Sequence, residues 1–318
     1  MQTKSIQSYG FSAIKLLILL TACIFIIQHL TDKQHLDMHF ADAFQKAFLT
    51  NHALLLLVAI LLMPLNWASE ALKWQILASK IATINFKDAL FGVLTGLSVS
   101  FFSGKIIGYF LGRSWHLPSK DKYQSFGATL NGHLSLGFVT GAFGSLCLLK
   151  FLLRQHYISP DYSTVLYTFW GVTISIGTVL LCSLHKFKPL LDQNKYFKKY
   201  LQTAITFSTG ENIKILGLST LRFMLFTIQF VLILYAFGGT LSMIDSLIGV
   251  GLVYISKTLT PSFSFLSDLG IREFTALYFF GAMGVDESTI ISSTLFLWLL
   301  NILLPTLAGL FSSWYIKL

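Results

Sequence analysis

Five long runs of residues without Asp, Glu, Lys or Arg limit what this chain can fold into. Each run has the roughly 20 residues that an α-helix needs to cross a hydrocarbon core about 30 Å thick. The runs are residues 47–69, 123–149, 162–185, 223–244 and 288–316. Because lipid offers no partners to backbone N–H and C=O groups, these runs predict an all-α protein that crosses a membrane several times.

Composition excludes a soluble protein. Of the 318 residues, 54% are hydrophobic and only 12% are charged. A shorter apolar stretch, residues 11–31, follows Lys4 as a signal peptide would, but no small-residue cleavage site comes after it. We therefore expect it to remain as a first transmembrane helix. Cys23, Cys147 and Cys182 each lie in an apolar segment and predict neither a disulfide framework nor a metal site.

The net charge of +9 comes from lysines in the loops between the apolar runs. This distribution indicates an anionic lipid surface as the partner, and not nucleic acid. The loop 185–214 has six lysines and two acidic residues, which predicts the cytoplasmic side, whereas the loop 31–46 has three Asp and two Lys and is predicted outside. If residues 89–111 crossed the membrane once, the basic loop would lie on the wrong side.

Residues 89–111 are instead predicted to enter the membrane and return on the same side. Small and polar residues interrupt this segment: Gly92, Thr95, Gly96, Ser98, Ser100, Ser103 and Gly104. They leave two half-helices of about ten residues each, which are too short to cross alone. Irregular backbone at that depth is tolerated only inside protein or beside a cavity.

Residues 243–284 predict a second re-entrant pair, because Gly249, Gly251, Pro261 and Gly270 interrupt them. The predicted fold is a single transmembrane domain over residues 1–318 in the cell (inner) membrane, with both termini cytoplasmic. It has about six full transmembrane helices and two broken pairs in inverted arrangement, which is typical of transporter-type sites. The full helices are predicted at residues 11–31, 47–69, 123–149, 162–185, 215–237 and 288–316.

Three stretches carry a resemblance to a known family: residues 66–74, residues 100–113 and residues 260–273. Across nearly its whole length the chain resembles the transmembrane, flippase-like region of lysylphosphatidylglycerol synthases. The resemblance implies binding or translocation of a lipid at the two re-entrant segments. There is no soluble aminoacyl-transfer domain, so lipid synthesis is not implied. The second stretch departs from the family pattern, since Gly104, Ile106 and Tyr109 replace the usual proline, basic residue and acid.

Arginine is the best candidate for contacting a lipid phosphate, because its planar fork of donors matches two phosphate oxygens. Only four of the 23 basic residues are arginine. Arg272 follows Asp268 and precedes Glu273 in the third stretch, where ionisable groups at membrane depth usually persist for function. The alternative is a local ion pair that fastens the bend.

The other candidates for lipid binding are Arg113, Arg222, Lys105 and Lys257, each with a structural alternative. Arg113 and Arg222 are also suited to snorkelling toward the membrane surface, and the two lysines to simple interfacial contact. We expect Glu70 and Lys73 to form an interfacial ion pair just after the second span, with Trp67 and Trp74 in the aromatic belt. His35 and His39 lack a third ligand with matching spacing, so no metal and no cofactor is predicted.

The leading functional hypothesis is a membrane protein that binds or moves an anionic or isoprenoid-linked lipid. The alternative is a non-transporting scaffold or accessory subunit, with a second copy or another membrane protein as partner. An intramembrane enzyme that uses Asp268 or Glu273 as a base is a third reading. The sequence contains no enzyme motif to support it, and no phosphate-binding loop for ATP-driven transport.

The lysine distribution gives the first testable prediction. A cysteine introduced by Asn194→Cys in the basic loop should not react with a membrane-impermeant thiol reagent added to whole cells, and should react after permeabilisation. Reaction from outside in intact cells would contradict the proposed orientation.

Overall fold

The computed structural model describes residues 44–45, 47–48, 52–117, 122–191, 195–260 and 265–312. These residues form helices and no β-strand. The segments that are long and apolar enough to cross a membrane are Ala53–Ala78, Lys122–Arg154, Pro160–Cys182, Thr209–Ala236 and Glu287–Ser312. The prediction of an all-α membrane protein with several spans is confirmed. The span predicted at residues 11–31, the His35–His39 pair and the C-terminal residues 313–318 lie outside the described residues.

Ten helices are named here in chain order. They are α1 (Ala53–Ala78), α2 (Phe86–Ser103), α3 (Lys105–Trp115), α4 (Ser125–Arg154), α5 (Ser163–Cys182), α6 (Thr209–Ala236), α7 (Met243–Leu259), α8 (Phe265–Ala282), α9 (Glu287–Trp298) and α10 (Leu304–Ser312). One π-helical turn, Leu299–Leu303, joins α9 to α10. Polar side chains cap the N-termini of four helices and accept from backbone N–H groups that would otherwise lack a partner. These caps are Asn85, Ser208, Ser242 and Asp286.

Helices α2 and α3 form the first hairpin, which reverses at Gly104. Gly104 has φ +84°, a conformation that residues with a side chain rarely adopt. The two helices then pack backbone to backbone. A Cβ atom on Gly108 would lie 2.1 Å from the Cα atom of Ser100, and one on Gly112 would lie 2.3 Å from the backbone nitrogen of Gly96. Glycine at these positions is therefore what allows the hairpin to close.

Helices α7 and α8 form the second hairpin, and residues 261–264 between them lie outside the described residues. Gly249 in α7 is covered by the ring of Phe280 in α8, since a Cβ atom there would lie 2.2 Å from a ring carbon. Both segments that the sequence predicts to be broken are thus helix pairs. That their tips lie within the membrane remains a prediction.

The two hairpins begin at opposite ends of the helix bundle, because α1 and α6 run antiparallel. At one end Lys80 forms a 2.7 Å ion pair with Glu211. Further along, Gln229 Nε2 donates to the carbonyl of Ala59 at 2.9 Å, and at the far end His52 lies 3.4 Å from the carbonyl of Ala236. The first hairpin follows α1 and the second follows α6, so they are inverted relative to each other.

The span after each hairpin packs on the first helix of the other hairpin. Helix α4 packs on α7 through Gly144 and Gly251, and α10 packs on α2. In the second contact the Ser98 hydroxyl donates to the carbonyl of Thr306 at 2.6 Å, and Gly309 lies directly against the carbonyl of Leu94. Each half of the chain thus contains a span, a hairpin and a further span, and the two halves pack together through these reciprocal contacts. This is the arrangement expected for inverted repeats.

Replacing Gly108 with alanine should destabilise the protein, because the new methyl group meets backbone that cannot move without separating α2 from α3. Overpacking of this kind costs about 1–3 kcal/mol. We expect a lower unfolding temperature for Gly108→Ala in detergent. Gly137→Ala is the matched control, since no atom lies within 4 Å of its added methyl group. Equal unfolding temperatures for the two variants would contradict the close approach.

Candidate functional site

A buried cluster of four charged side chains lies where α1, α3 and α6 meet. Glu70 Oε2 lies 2.7 Å from Lys73 Nζ and 2.8 Å from Arg222 Nη1. Its other oxygen, Oε1, accepts a hydrogen bond from Arg113 Nη2 at 2.7 Å. The four residues are only 6%, 1%, 6% and 1% exposed in the order Glu70, Lys73, Arg222, Arg113. We call this group the Glu70 cluster.

The ion pair predicted between Glu70 and Lys73 is present, but both residues are buried within α1, which continues past them to Ala78, and do not follow its end. Arg113 and Arg222 do not snorkel, since both guanidinium groups point to a carboxylate inside the protein. The physical reason is that Arg113 and Arg222 from two other helices reach the Glu70 carboxylate, and this pairing offsets part of the cost of burying charged residues within α1.

Aromatic rings cover both guanidinium groups of the cluster. The Arg113 guanidinium carbon lies 5.0 Å from the centre of the Trp74 ring and 5.2 Å from that of Tyr109. The Arg222 carbon lies 4.6 Å from the centre of Trp67 and 5.2 Å from that of Phe226. Both tryptophans are buried, so the expectation that they belong to an interfacial belt is wrong. Their rings stabilise the arginines by cation–π contact in a site that excludes water.

The Glu70 cluster carries more positive than negative charge. Three cations surround a single carboxylate, which leaves a formal surplus of two positive charges when all four groups are ionised. The Nε–H groups of Arg113 and Arg222 are also buried and make no hydrogen bond with any described residue. The cluster therefore has both charge and donors to offer to an anion.

A cavity of about 410 Å³ lies at the middle of the bundle. It is bounded by the middle parts of α4, α6 and the last span, by Ile106 near the tip of the first hairpin, and by Thr258 and Thr260 near the tip of the second. Its lining residues are Ile106, His133, Leu136, Gly137, Thr140, Phe223, Phe226, Tyr254, Lys257, Thr258, Thr260, Arg272, Leu297, Asn301 and Ile302. Both hairpins thus contribute to one cavity, which we call the central cavity.

Of the predicted lipid-binding residues, Arg272 and Lys257 line the central cavity. Arg272 is 3% exposed, which agrees with the expectation that its charge points to the protein interior. Glu273 is partly buried and is not among the lining residues. The side chains of Lys105 and Asp268 lie outside the described part of the structure.

Arg113 and Arg222 belong to the Glu70 cluster and not to the cavity wall, but two aromatic contacts join the two sites. Phe226 packs against the Arg222 guanidinium and also lines the central cavity. Tyr109 packs against Arg113, and its ring centre lies 5.1 Å from that of His133, which lines the cavity as well. The Glu70 cluster is therefore separated from the cavity by single layers of aromatic side chains.

The sequence reasoning missed His133, Asn66 and Asn301. Asn301 lines the central cavity from the π-helical turn, and its Oδ1 accepts from Asn66 Nδ2 at 3.3 Å. Asn66 lies one helical turn before Glu70, so this bond is a further polar link between the cavity and the cluster. Polar residues within otherwise apolar spans were the available signal, because burial of an amide requires a partner.

Removing the charge of Glu70 should destabilise the fold strongly, because three buried cations would lose the one carboxylate that the described residues place beside them. Breaking a buried ion pair by removing one partner costs about 3–5 kcal/mol. We expect Glu70→Gln to lower the unfolding temperature in detergent far more than Arg154→Gln. Arg154 is the matched control, since its ion pair with Asp245 is on the surface and its side chain is 63% exposed. Similar effects of the two substitutions would contradict a central role for Glu70.

No protein-family model, curated protein or solved structure matches this chain. The Glu70 cluster and the central cavity are therefore the features of the molecule from which its function is inferred.

Proposed function

We propose that this membrane protein binds and translocates a lipid with an anionic head group, such as a phospholipid or an isoprenoid-linked phosphate. The head group occupies the central cavity, and Arg272 and Lys257 bind its phosphate. The observation that carries the proposal is that two oppositely oriented hairpins meet at one cavity with two cationic side chains on its wall. Transporters built from inverted repeats bind their substrates at such a position.

The chemistry of the cavity wall suits an amphiphilic ligand. Arg272 supplies a planar fork of N–H donors and Lys257 a compact positive charge, both of which bind phosphate. Thr258, Thr260 and Asn301 add neutral hydrogen-bonding groups. Most of the remaining lining side chains are apolar, which suits the start of an acyl or isoprenoid chain next to the head group.

The expected setting is the cell (inner) membrane, with the basic loop 185–214 and both termini on the cytoplasmic side. The lysine distribution supports this orientation. The resemblance to the flippase-like region of lysylphosphatidylglycerol synthases supports a lipid as the substrate. With no phosphate-binding loop in the sequence, ATP hydrolysis by this chain is not the expected energy source.

The second candidate is a non-transporting scaffold or accessory subunit, and a specific observation favours it. The first hairpin contributes apolar Ile106 to the cavity, at a position where the resembling family has a basic residue. A scaffold would keep the fold while one side of the lipid site is altered. A membrane protein that co-purifies independently of lipid would support this alternative.

Replacement of Arg272 tests the proposed lipid site. Mass spectrometry of lipids retained by the detergent-purified protein should show an anionic lipid in the wild type and a strong loss in Arg272→Ala. Arg272→Lys should also lose retention, by roughly tenfold, because an ammonium group keeps the charge but not the two-point contact with phosphate. Arg154→Lys is the control and should match the wild type.

The lysine variant also separates a binding role from a structural one. If Arg272 only stabilises α8 through a local ion pair, Arg272→Lys should retain as much lipid as the wild type, because the charge is kept. Arg272→Ala should then lower the folded yield. That outcome would contradict the proposal.

A further inference from the structure

We propose that Arg113 and Arg222 form a second phosphate-binding site, separate from the Arg272 site, in which the carboxylate of Glu70 is the resident anion. When a phosphate group enters, it takes the place of Glu70 between the two guanidinium groups. At this site the Glu70 carboxylate, which is part of the chain, and a phosphate ligand bind the two arginines alternately. This inference extends the proposed function but does not depend on Arg272.

The Glu70 cluster contains more cationic than anionic groups. One carboxylate faces Lys73, Arg113 and Arg222 at 2.7–2.8 Å, so the cluster stays positive even with Glu70 ionised. A phosphate that binds here finds uncompensated positive charge in surroundings that screen it little. The surplus of positive charge is not required to neutralise Glu70, because the carboxylate would still be paired with two cations if one arginine were absent.

Arg113 and Arg222 have N–H donors that could bind an anion. The Nε–H groups of Arg113 and Arg222 are buried and make no hydrogen bond with the described residues, although each residue is at least 94% buried. Guanidinium groups bind phosphate through such pairs of neighbouring N–H donors. Glu70 has two oxygens and contacts three cations, whereas a phosphate offers more acceptor oxygens for the same donors.

The Glu70 cluster lies next to the central cavity. Phe226 contacts the Arg222 guanidinium and lines the cavity, and Tyr109 contacts both Arg113 and the cavity-lining His133. These rings turn about two single bonds, so they are the side chains whose rotamers would change for a phosphate to pass between the two sites.

Exchange and a purely structural role of Glu70 differ in the phosphate affinity of Glu70→Gln. If Glu70 competes with phosphate, Glu70→Gln should bind phosphate at least about tenfold more tightly than the unsubstituted carboxylate form, since both the competing ligand and a repelling negative charge are removed. If Glu70 only neutralises the arginines, Glu70→Gln should gain no phosphate affinity; its lower stability without phosphate is expected in both cases.

The test measures the unfolding temperature of the purified full chain as a function of inorganic phosphate concentration, at fixed pH and ionic strength, with gluconate as the replacement anion. A ligand of the folded state stabilises it by RT ln(1 + c/Kd), where c is the phosphate concentration, so the unfolding temperature begins to rise near the Kd and then rises with the logarithm of c. Because inorganic phosphate can also bind at Arg272, every variant is made in an Arg272→Ala background. In this background we expect the unfolding temperature to rise with phosphate, to begin rising at a lower concentration when Glu70→Gln is added, and not to rise when Arg222→Gln is added. Adding Arg154→Gln should leave the response of the background unchanged.

A second ligand distinguishes the source of the phosphate. Stabilisation by a short-chain phosphatidylglycerol but not by inorganic phosphate would assign the site to a lipid head group, whereas stabilisation by both would show that the phosphate group alone suffices. If Glu70→Gln does not fold, Arg222→Lys replaces it, and its response should be weaker than that of the Arg272→Ala background because the fork of donors is lost. The inference is overturned if neither ligand stabilises the Arg272→Ala background or if adding Arg222→Gln leaves its response unchanged. A remaining response of Arg272→Ala to phosphate, together with its loss of retained lipid, would show that the two sites are separate.

Discussion

The interaction on which the rest of the structure depends is the contact of the Glu70 carboxylate with three cations from three different helical segments. Lys73 follows in the same helix, Arg113 comes from the end of the first hairpin, and Arg222 comes from α6 in the other half of the chain. Burial of each ion alone would cost several kcal/mol, so the charges stabilise the fold only when the helices are assembled. The Glu70 carboxylate is therefore compensated only when the helices are assembled. It joins α3 of the first hairpin to α1 and α6, the helices through which the two halves contact each other.

The two halves share one architecture but contribute different chemistry to the central cavity. The second hairpin supplies Lys257 and Arg272, while the first supplies Ile106. The tip of the first hairpin also has its own geometry, because Gly104 has φ +84° and proline, with φ fixed near −65°, cannot adopt it. A glycine turn therefore shapes this tip, and the cationic side chains that line the central cavity come from the second hairpin.

Hydropathy predicts the five long apolar helices among the described residues, and interrupting glycines predict the break in each hairpin segment, because both are local properties of the chain. The expectation of half-helices of about ten residues is wrong for α2, which has 18 residues, and the span expected at residues 11–31 lies outside the described residues. The sequence also predicts that Arg272 points inward, since a charge that faces lipid is costly wherever its partner lies. Glu70 shows where local reasoning ends. Hydropathy treats a carboxylate as the end of a span, and nothing near residue 70 identifies Arg113 and Arg222 as its partners. The contacts of His133 and Asn301 depend in the same way on helices that are distant in sequence.

The two proposed phosphate sites together suggest why a carboxylate is built into the first of them. An arginine pair that released its phosphate into an apolar surrounding would be left with uncompensated charge, which would make release very slow. Because Glu70 is tethered beside both guanidinium groups, it can replace the departing phosphate. The loss of the ligand is then offset by contacts of 2.7 and 2.8 Å that are already within reach. A competing carboxylate weakens binding at equilibrium, but it lowers the barrier to release, and a translocating protein needs release as much as it needs binding.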